Sequence, residues 1–226
     1  MIKPLAFLAA AMFLLSLSAA GATELPAQPT LTYIGHAHLM IVTAEGTVIY
    51  IDPIPISGYT YEHKADIILV THEHSDHNKV DIVPQNDGCV VLRVKQTINK
   101  DGTYNTHEIG EVTVIPVPAE NKNHNIKQTN GLVILFDGFA VYHAADTDKL
   151  DSMADLQQYE IDYAFFPIDG EYNMDAAEAM ECAALAGAKH NTPIHWFDAD
   201  PAAFAPDNLL FMNFGDTITL EKPDES

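Results

Sequence analysis

Residues 68–80, ILVTHEHSDHNKV, decide how the rest of the chain is read. The apolar run that enters them, DIILV at 66–70, has the composition of a strand buried on both faces. Four potential ligands follow in His-x-His-x-Asp-His order: His72, His74, Asp76 and His77. In extended backbone His72 and His74 point the same way, because side chains alternate with period two. Asp76 and His77 come later on the loop and can serve a second position nearby. Imidazole and carboxylate are ligands for zinc, manganese and iron. Two such ions about 3.5–4 Å apart can share a hydroxide and clamp a substrate oxygen. Four donors are too few for a pair of ions, so later loops must supply the remainder.

Outward from this cluster the chain reads as short β-rich runs separated by turn signals. LTYIG (31–35), HLMIVTA (38–44) and TVIYIDP (47–53) precede it, with Glu45-Gly46 as a hairpin turn. CVVLRV (89–94), VTVIPV (112–117), GLVILF (131–136), FAVYHA (139–144) and DYAFFPI (162–168) follow, with Asp137-Gly138 as a second hairpin. HNTPIHW (190–196) and DTITL (216–220) are the last strands. The clearest helix is DAAEAMECAALAG, with Asp175 as N-cap, Glu178 three residues on and Gly187 at its end. Strands dominate early and alternate with helix later, which predicts an α/β (α+β) arrangement of packed sheets with helices outside. The boundaries are a leader over 1–22, a Pro-containing linker over 23–30 and one domain over 31–226.

THEHSDH after a buried strand resembles the signature of the metallo-β-lactamase fold superfamily. LTYIGHAHLMI, TVIYIDP, YHAADTD, FFPIDGEYNMDAAEA and TPIHW occur in the order of its branch of simple metal-dependent hydrolases related to ascorbate-6-phosphate lactonase. The resemblance runs from about residue 31 to 220. It implies a four-layer αββα sandwich with the site at one edge, where strand-end loops converge.

The resemblance also implies the missing ligands. His124, in PAENKNHN, takes the place of the third histidine on the first metal, and Asp146, in YHAADTD, that of the bridging aspartate. His195, in TPIHW, takes that of the last ligand on the second metal. The expected set is His72, His74 and His124 on one ion, Asp76, His77 and His195 on the other, and Asp146 between them. Asp76 and Asp146 count as catalytic. The rival for His124 is His107, but its stretch DGTYNTHEIGEV reads as the lead-in to a hairpin. His74 stands where diiron redox relatives usually carry glutamate, which favours hydrolysis over a diiron oxidoreductase. The implied activity is a metal-dependent hydrolase whose bridging hydroxide attacks a small-molecule ester, lactone, amide or phosphodiester. The ions would be two divalent metals, zinc first, manganese or iron next. The competing readings are a non-catalytic metal-dependent binding protein and a β-lactamase. Of the remaining histidines, His36 is expected behind the ligands and His143 beside Asp146, with His38, His63 and His190 structural or exposed. Tyr172 and Asn173 are candidates to line the pocket, beside a helix N-terminus that could favour an anion.

Thirty-two acidic residues against 11 basic give a formal net charge of -21. So negative a surface repels phosphate backbones, so nucleic acid is not an expected partner and a small-molecule substrate is. Cys89 and Cys182 lack the spacing of a metal-binding pair, and an exported chain could join them. Lys3, the apolar stretch 5–20 and Ala20-Gly21-Ala22 together read as a secretory leader cleaved after Ala22. The stretch is too short and poorly flanked for a stable membrane anchor, so the expected location is periplasmic or secreted. Mass spectrometry of protein purified from its native host should find a chain starting at or near Thr23. A mature pool that retains Met1 would refute export.

Overall fold

Period-two alternation sorts the strand residues into two faces. In the computed structural model, which describes residues 25–222, one face builds a core shared between sheets. Leu31 and Tyr33 of β1 (Thr30–Gly35), Leu39 and Ile41 of β2 (His38–Val42), Ile49 and Ile51 of β3 (Val48–Ile51), and Ile67 and Leu69 of β4 (Ala65–Leu69) all enter it. Their neighbours Met40, Val42, Val48, Tyr50 and Ile68 form a separate cluster on the opposite face. With β5 (Gln85–Leu92) and β12 (Asp216–Thr219) these strands make a six-stranded sheet of order β12-β1-β2-β3-β4-β5.

The second sheet holds β6 (His107–Ile109), β7 (Val112–Pro118), β8 (Asn130–Phe136), β9 (Phe139–His143), β10 (Tyr163–Pro167) and β11 (His190–Ile194), in order β11-β10-β9-β8-β7-β6. Val112, Val114, Leu132, Ile134, Val141, Phe165 and Ile194 meet the first sheet in the shared core. The outer face of the second sheet is covered by helix α2 (Ala176–Ala186) and a 3-10 helix over Asp151–Tyr159. Asp175 caps α2 by accepting the Glu178 amide at 2.9 Å, and Gly187 ends it at φ 67°, as its sequence predicts. The 3-10 helix is not apparent from the sequence. Its two buried residues, Met153 and Leu156, are three apart and so lie on one face of the helix.

The outer layers of the αββα sandwich are unequal. Over the first sheet the cover is irregular chain carrying Ile56, Tyr59 and Tyr61, plus a single 3-10 turn at Val80–Ile82. CVVLRV ends early as a strand, because Arg93 caps a one-turn helix, α1 (Val94–Thr97). Thr30, expected in the linker, already pairs with Val42 and Thr219. Cys89 and Cys182 are free. Cys89 packs on the outer face of the first sheet and Cys182 under α2 on the outer face of the second, so both sheets lie between them. The expected leader lies outside the described residues.

The site's position follows from strand direction. β3, β4 and β5 pair in parallel, as do β9, β10 and β11. Parallel strands bring their carboxyl ends to the same edge, where the following loops form a crevice. Two backbone hydrogen bonds join the sheets there: Asn130 N–H to Thr71 O at 3.2 Å and His195 N–H to His36 O at 2.9 Å. The shared core is what holds this edge in register. Phe165 is fully buried in it, so Phe165→Ala should lower unfolding free energy by about 3–5 kcal/mol. Urea denaturation of the purified chain, with unchanged slope, is the measurement.

Candidate metal centre

The histidine-rich loop is anchored before any ligand is placed. Asp52, just past β3, is fully buried and accepts three hydrogen bonds from the loop after β4. The donors are Thr71 N–H (2.7 Å), Thr71 Oγ1 (2.6 Å) and His77 Nδ1 (2.8 Å). Burial pushes the Asp52 carboxyl up to about 6, against the pull of His143 and the Thr71 donors. With its hydroxyl committed to Asp52, Thr71 Oγ1 accepts from His72 Nδ1 at 3.0 Å.

The same device recurs around the centre. His124 Nδ1 faces Asn121 Oδ1 at 2.8 Å, and His195 Nδ1 faces Asp169 Oδ2 at 3.0 Å. In all four rings an outer oxygen takes the Nδ1 proton, which leaves Nε2 as a lone pair pointing inward. Asp52, Asn121 and Asp169 were not foreseen from the sequence. Their one signal is placement, since Asp52 and Asp169 each close a buried strand run, in IDP and IDG.

The inward atoms fall into two groups. Ligand atoms of His72, His74 and His124 lie within 4.8 Å of one another, and so do those of His36, Asp76, His77 and His195. Asp146 lies between the groups. Its Oδ2 is 3.8 Å from His72 Nε2, 3.4 Å from His124 Nε2 and 3.6 Å from His195 Nε2, while Oδ1 is 3.4 Å from His77 Nε2. Two donors each about 2.1 Å from one tetrahedral ion sit about 3.4 Å apart, so these spacings fit ligation. His74 presents Nδ1 instead, 3.0 Å from His124 Nε2. Asp52, His72 and His77 also cluster, but their facing atoms are already hydrogen-bonded to one another or to Thr71.

Every residue expected at the site is thus brought to this edge. His107 is not, since its Nε2 meets the Gln96 carbonyl at 3.0 Å. His36, expected behind the ligands, turns its Nε2 into the second group, 3.4 Å from Asp76 Oδ2. It does so at a left-handed φ of 58°, a conformation sequence patterns do not reveal. His143 supports Asp146 from behind. Its Nε2 donates to Ala37 O at 2.8 Å and its Nδ1 accepts the Ala145 amide at 3.1 Å. Asn173 Nδ2 donates to Asp169 Oδ2 at 2.7 Å and its Oδ1 accepts from Asn121 Nδ2 at 3.0 Å, tying two of the outer residues together. The α2 N-terminus is closed by Asp175, so it offers no anion site of its own.

The donor set fits a cation. Nε2 of His36, His72, His77 and His195 and Oδ1 of Asp146 are buried without a hydrogen-bond partner, a costly state unless something binds them. Burial holds His72 and His77 well below the usual histidine range and brings His124 to about 4, so these rings are neutral donors at pH 7. Burial likewise pushes Asp146 up to about 7. A positive ion beside it is what would keep that carboxylate ionised.

A family model described as a β-lactamase superfamily domain matches residues 30–195. A metal-dependent hydrolase of Nitratidesulfovibrio vulgaris is 29% identical over 236 residues, spanning 88% of this chain and 98% of its own length. One from Thermococcus kodakarensis is 30% identical over 220 residues, spanning 85% and 96%. Among solved structures, a metallo hydrolase of Ignicoccus hospitalis aligns with TM-score 0.70 and 25% identity, covering 87% of this chain and 100% of that one. A metal-dependent hydrolase of Parabacteroides distasonis aligns with TM-score 0.67 and 27% identity, covering 81% and 91%. The edge of inward-facing imidazoles thus sits within a domain whose sequence matches this family over most of its length, and the chain belongs to the metallo-β-lactamase superfamily as a metal-dependent hydrolase.

Proposed function

We propose that the chain binds two divalent ions, zinc by preference, and hydrolyses a small-molecule ester, lactone, amide or phosphodiester. His72, His74 and His124 would hold one ion, and Asp76, His77 and His195 the other, with His36 adjoining the second group and Asp146 between them. The observation that carries this reading is the position of Asp146, whose two oxygens each face inward histidine nitrogens 3.4 Å away, one in either group. Bound there, divalent ions supply a water-derived nucleophile at neutral pH and stabilise the oxyanion that develops during attack. The imidazole-rich donors suit zinc, and manganese and iron also accept them.

The chain's own residues do the rest. Asp52, Asn121 and Asp169 fix the tautomer and plane of the inward rings. Asp76, about a third exposed, is the carboxylate nearest solvent. Burial pushes its carboxyl up, but the His36 ring 3.4 Å away and the adjacent His77 imidazole outweigh that, so it stays ionised. It can therefore help to orient an incoming water as well as a metal.

Elemental analysis of metal per chain, with a broad hydrolase panel that includes β-lactams, tests the proposal. Asp76→Ala should remove about one metal and leave the three-histidine position filled. Asp146→Ala should weaken both and suppress turnover. A wild type that saturates at one metal, or an Asp146→Ala variant with full occupancy and rate, would rule out the two-ion reading.

Two further comparisons separate ligands from bystanders. His124→Ala should abolish most activity and lower bound metal, while His107→Ala should do neither. Asp169→Asn should weaken metal binding by about 10–100-fold, because it disturbs the His195 ring without removing a ligand. Competition with a chromogenic chelator reads this directly.

A further inference from the structure

We infer that the substrate carries an anionic group, a carboxylate or a phosphate ester, which seats in a lysine-lined cleft beside His72, His74 and His124. The inference rests on the hydrolase reading above for the place of the scissile bond. A cleft of about 700 Å³ opens from these three histidines toward α1 and the turn after it. Lys95, Lys100 and Lys127 line it, while Val94 and Ile98 supply an apolar wall. Its one carboxylate, Glu73, is neutralised by Arg93 at 2.7 Å.

On a chain with 11 basic residues against 32 acidic, three of the lysines line this one cleft. Of the other described lysines, Lys149 pairs with Glu181 and Lys189 and Lys222 with Asp162, while Lys64, Lys79 and Lys122 stand unpaired but line no cleft beside the histidines. The three cleft lysines form no ion pair among the described residues. Each stands on an ordered support. Lys95 is on α1. Lys100 is in a turn closed by Asn99 N–H to Thr103 O at 2.8 Å. Lys127 follows Asn125, whose Oδ1 accepts the Lys127 amide at 2.9 Å. Fixed backbones with free ammonium ends suit an anion of no fixed geometry.

The opposite side of the centre has the reverse character. A second cleft of about 620 Å³ shares His74 and His124 and, besides the ligand carboxylates Asp76 and Asp146, carries Glu171 and Asp198, with no lysine or arginine. The centre therefore sits on a boundary between positive and negative surface. An anion is attracted into one cleft and repelled from the other, which fixes the direction in which a substrate lies across the metals.

The test uses the zinc-loaded protein and three matched aryl acetates, bearing a methyl, a carboxylate or a phosphate at one ring position. Wild type should favour an anionic ester by about tenfold or more in kcat/KM, mainly through KM. That preference should fall as ionic strength rises. The Lys95→Gln, Lys100→Gln, Lys127→Gln triple variant should lose the preference while keeping its metal content and its rate on the methyl ester. Which anion gains more identifies carboxylate or phosphate as the natural group. Equal rates on all three esters, or a preference that survives the triple substitution, would overturn the inference and leave the hydrolase reading intact. Were no ester cleaved, these substrates would count against the hydrolase reading, and calorimetric binding of the corresponding phenols would still decide the cleft. Anionic phenols bound about tenfold tighter by wild type than by the triple variant support it, and equal binding refutes it.

Discussion

The buried carboxylate of Asp52 is the constraint on which the site depends. It has no solvent to satisfy it, so it must be met by protein donors, and all three come from the loop after β4. That requirement fixes Thr71, and Thr71 in turn fixes the His72 ring, while the third bond fixes His77. The loop is thereby set against the end of β3 with its imidazoles facing inward. A carboxylate left half-satisfied here would destabilise the fold and scatter the donors together, which couples the integrity of the core to that of the centre.

The edge also concentrates backbone strain. His36, Asp52, Ala145, His195 and Phe197 all lie in the left-handed region, with φ between 43° and 61°. They are five of the seven described non-glycine residues that do so. Such conformations cost about 1 kcal/mol or more each and persist only where surroundings impose them. Here the surroundings are visible: Asp52 is pinned by Thr71 and His77, Ala145 by His143, and His195 by Asp169 and by its amide bond to His36. At His36 and His195 the strained backbone carries rings whose Nε2 atoms face the second group.

Much of this could be read in advance. Alternation and hairpin signals place nearly every strand, and Asp175, Glu178 and Gly187 bound α2. The order of THEHSDH, YHAADTD and TPIHW marks residues the fold does gather at one edge. What could not be read has physical reasons. His36 enters the second group through a left-handed turn that no hydrophobic pattern encodes. Asn121, Asp52 and Asp169 are ordinary polar residues until the fold sets an imidazole beside them. Lys127 lies about 30 residues beyond Lys95 and Lys100 in sequence, and the three line one cleft only in the fold. The 3-10 helix at Asp151–Tyr159 has too short an apolar repeat to be distinguished from loop.

The centre draws on both sheets. His36, His72, His74, Asp76 and His77 hang from the first, and His124, Asp146 and His195 from the second. At this edge the direct backbone ties between the sheets include Asn130 to Thr71 and His195 to His36. An ion held by either group would therefore cross-link the two sheets, and one held by His77 and His195 would join segments more than a hundred residues apart along the chain. Binding to the closed form alone shifts the balance against any opening of the sheets. Slow amide exchange in buried strands such as β2 and β8 would then register whether the edge is clasped, making the mechanical stiffness of the sandwich a reporter of metal supply.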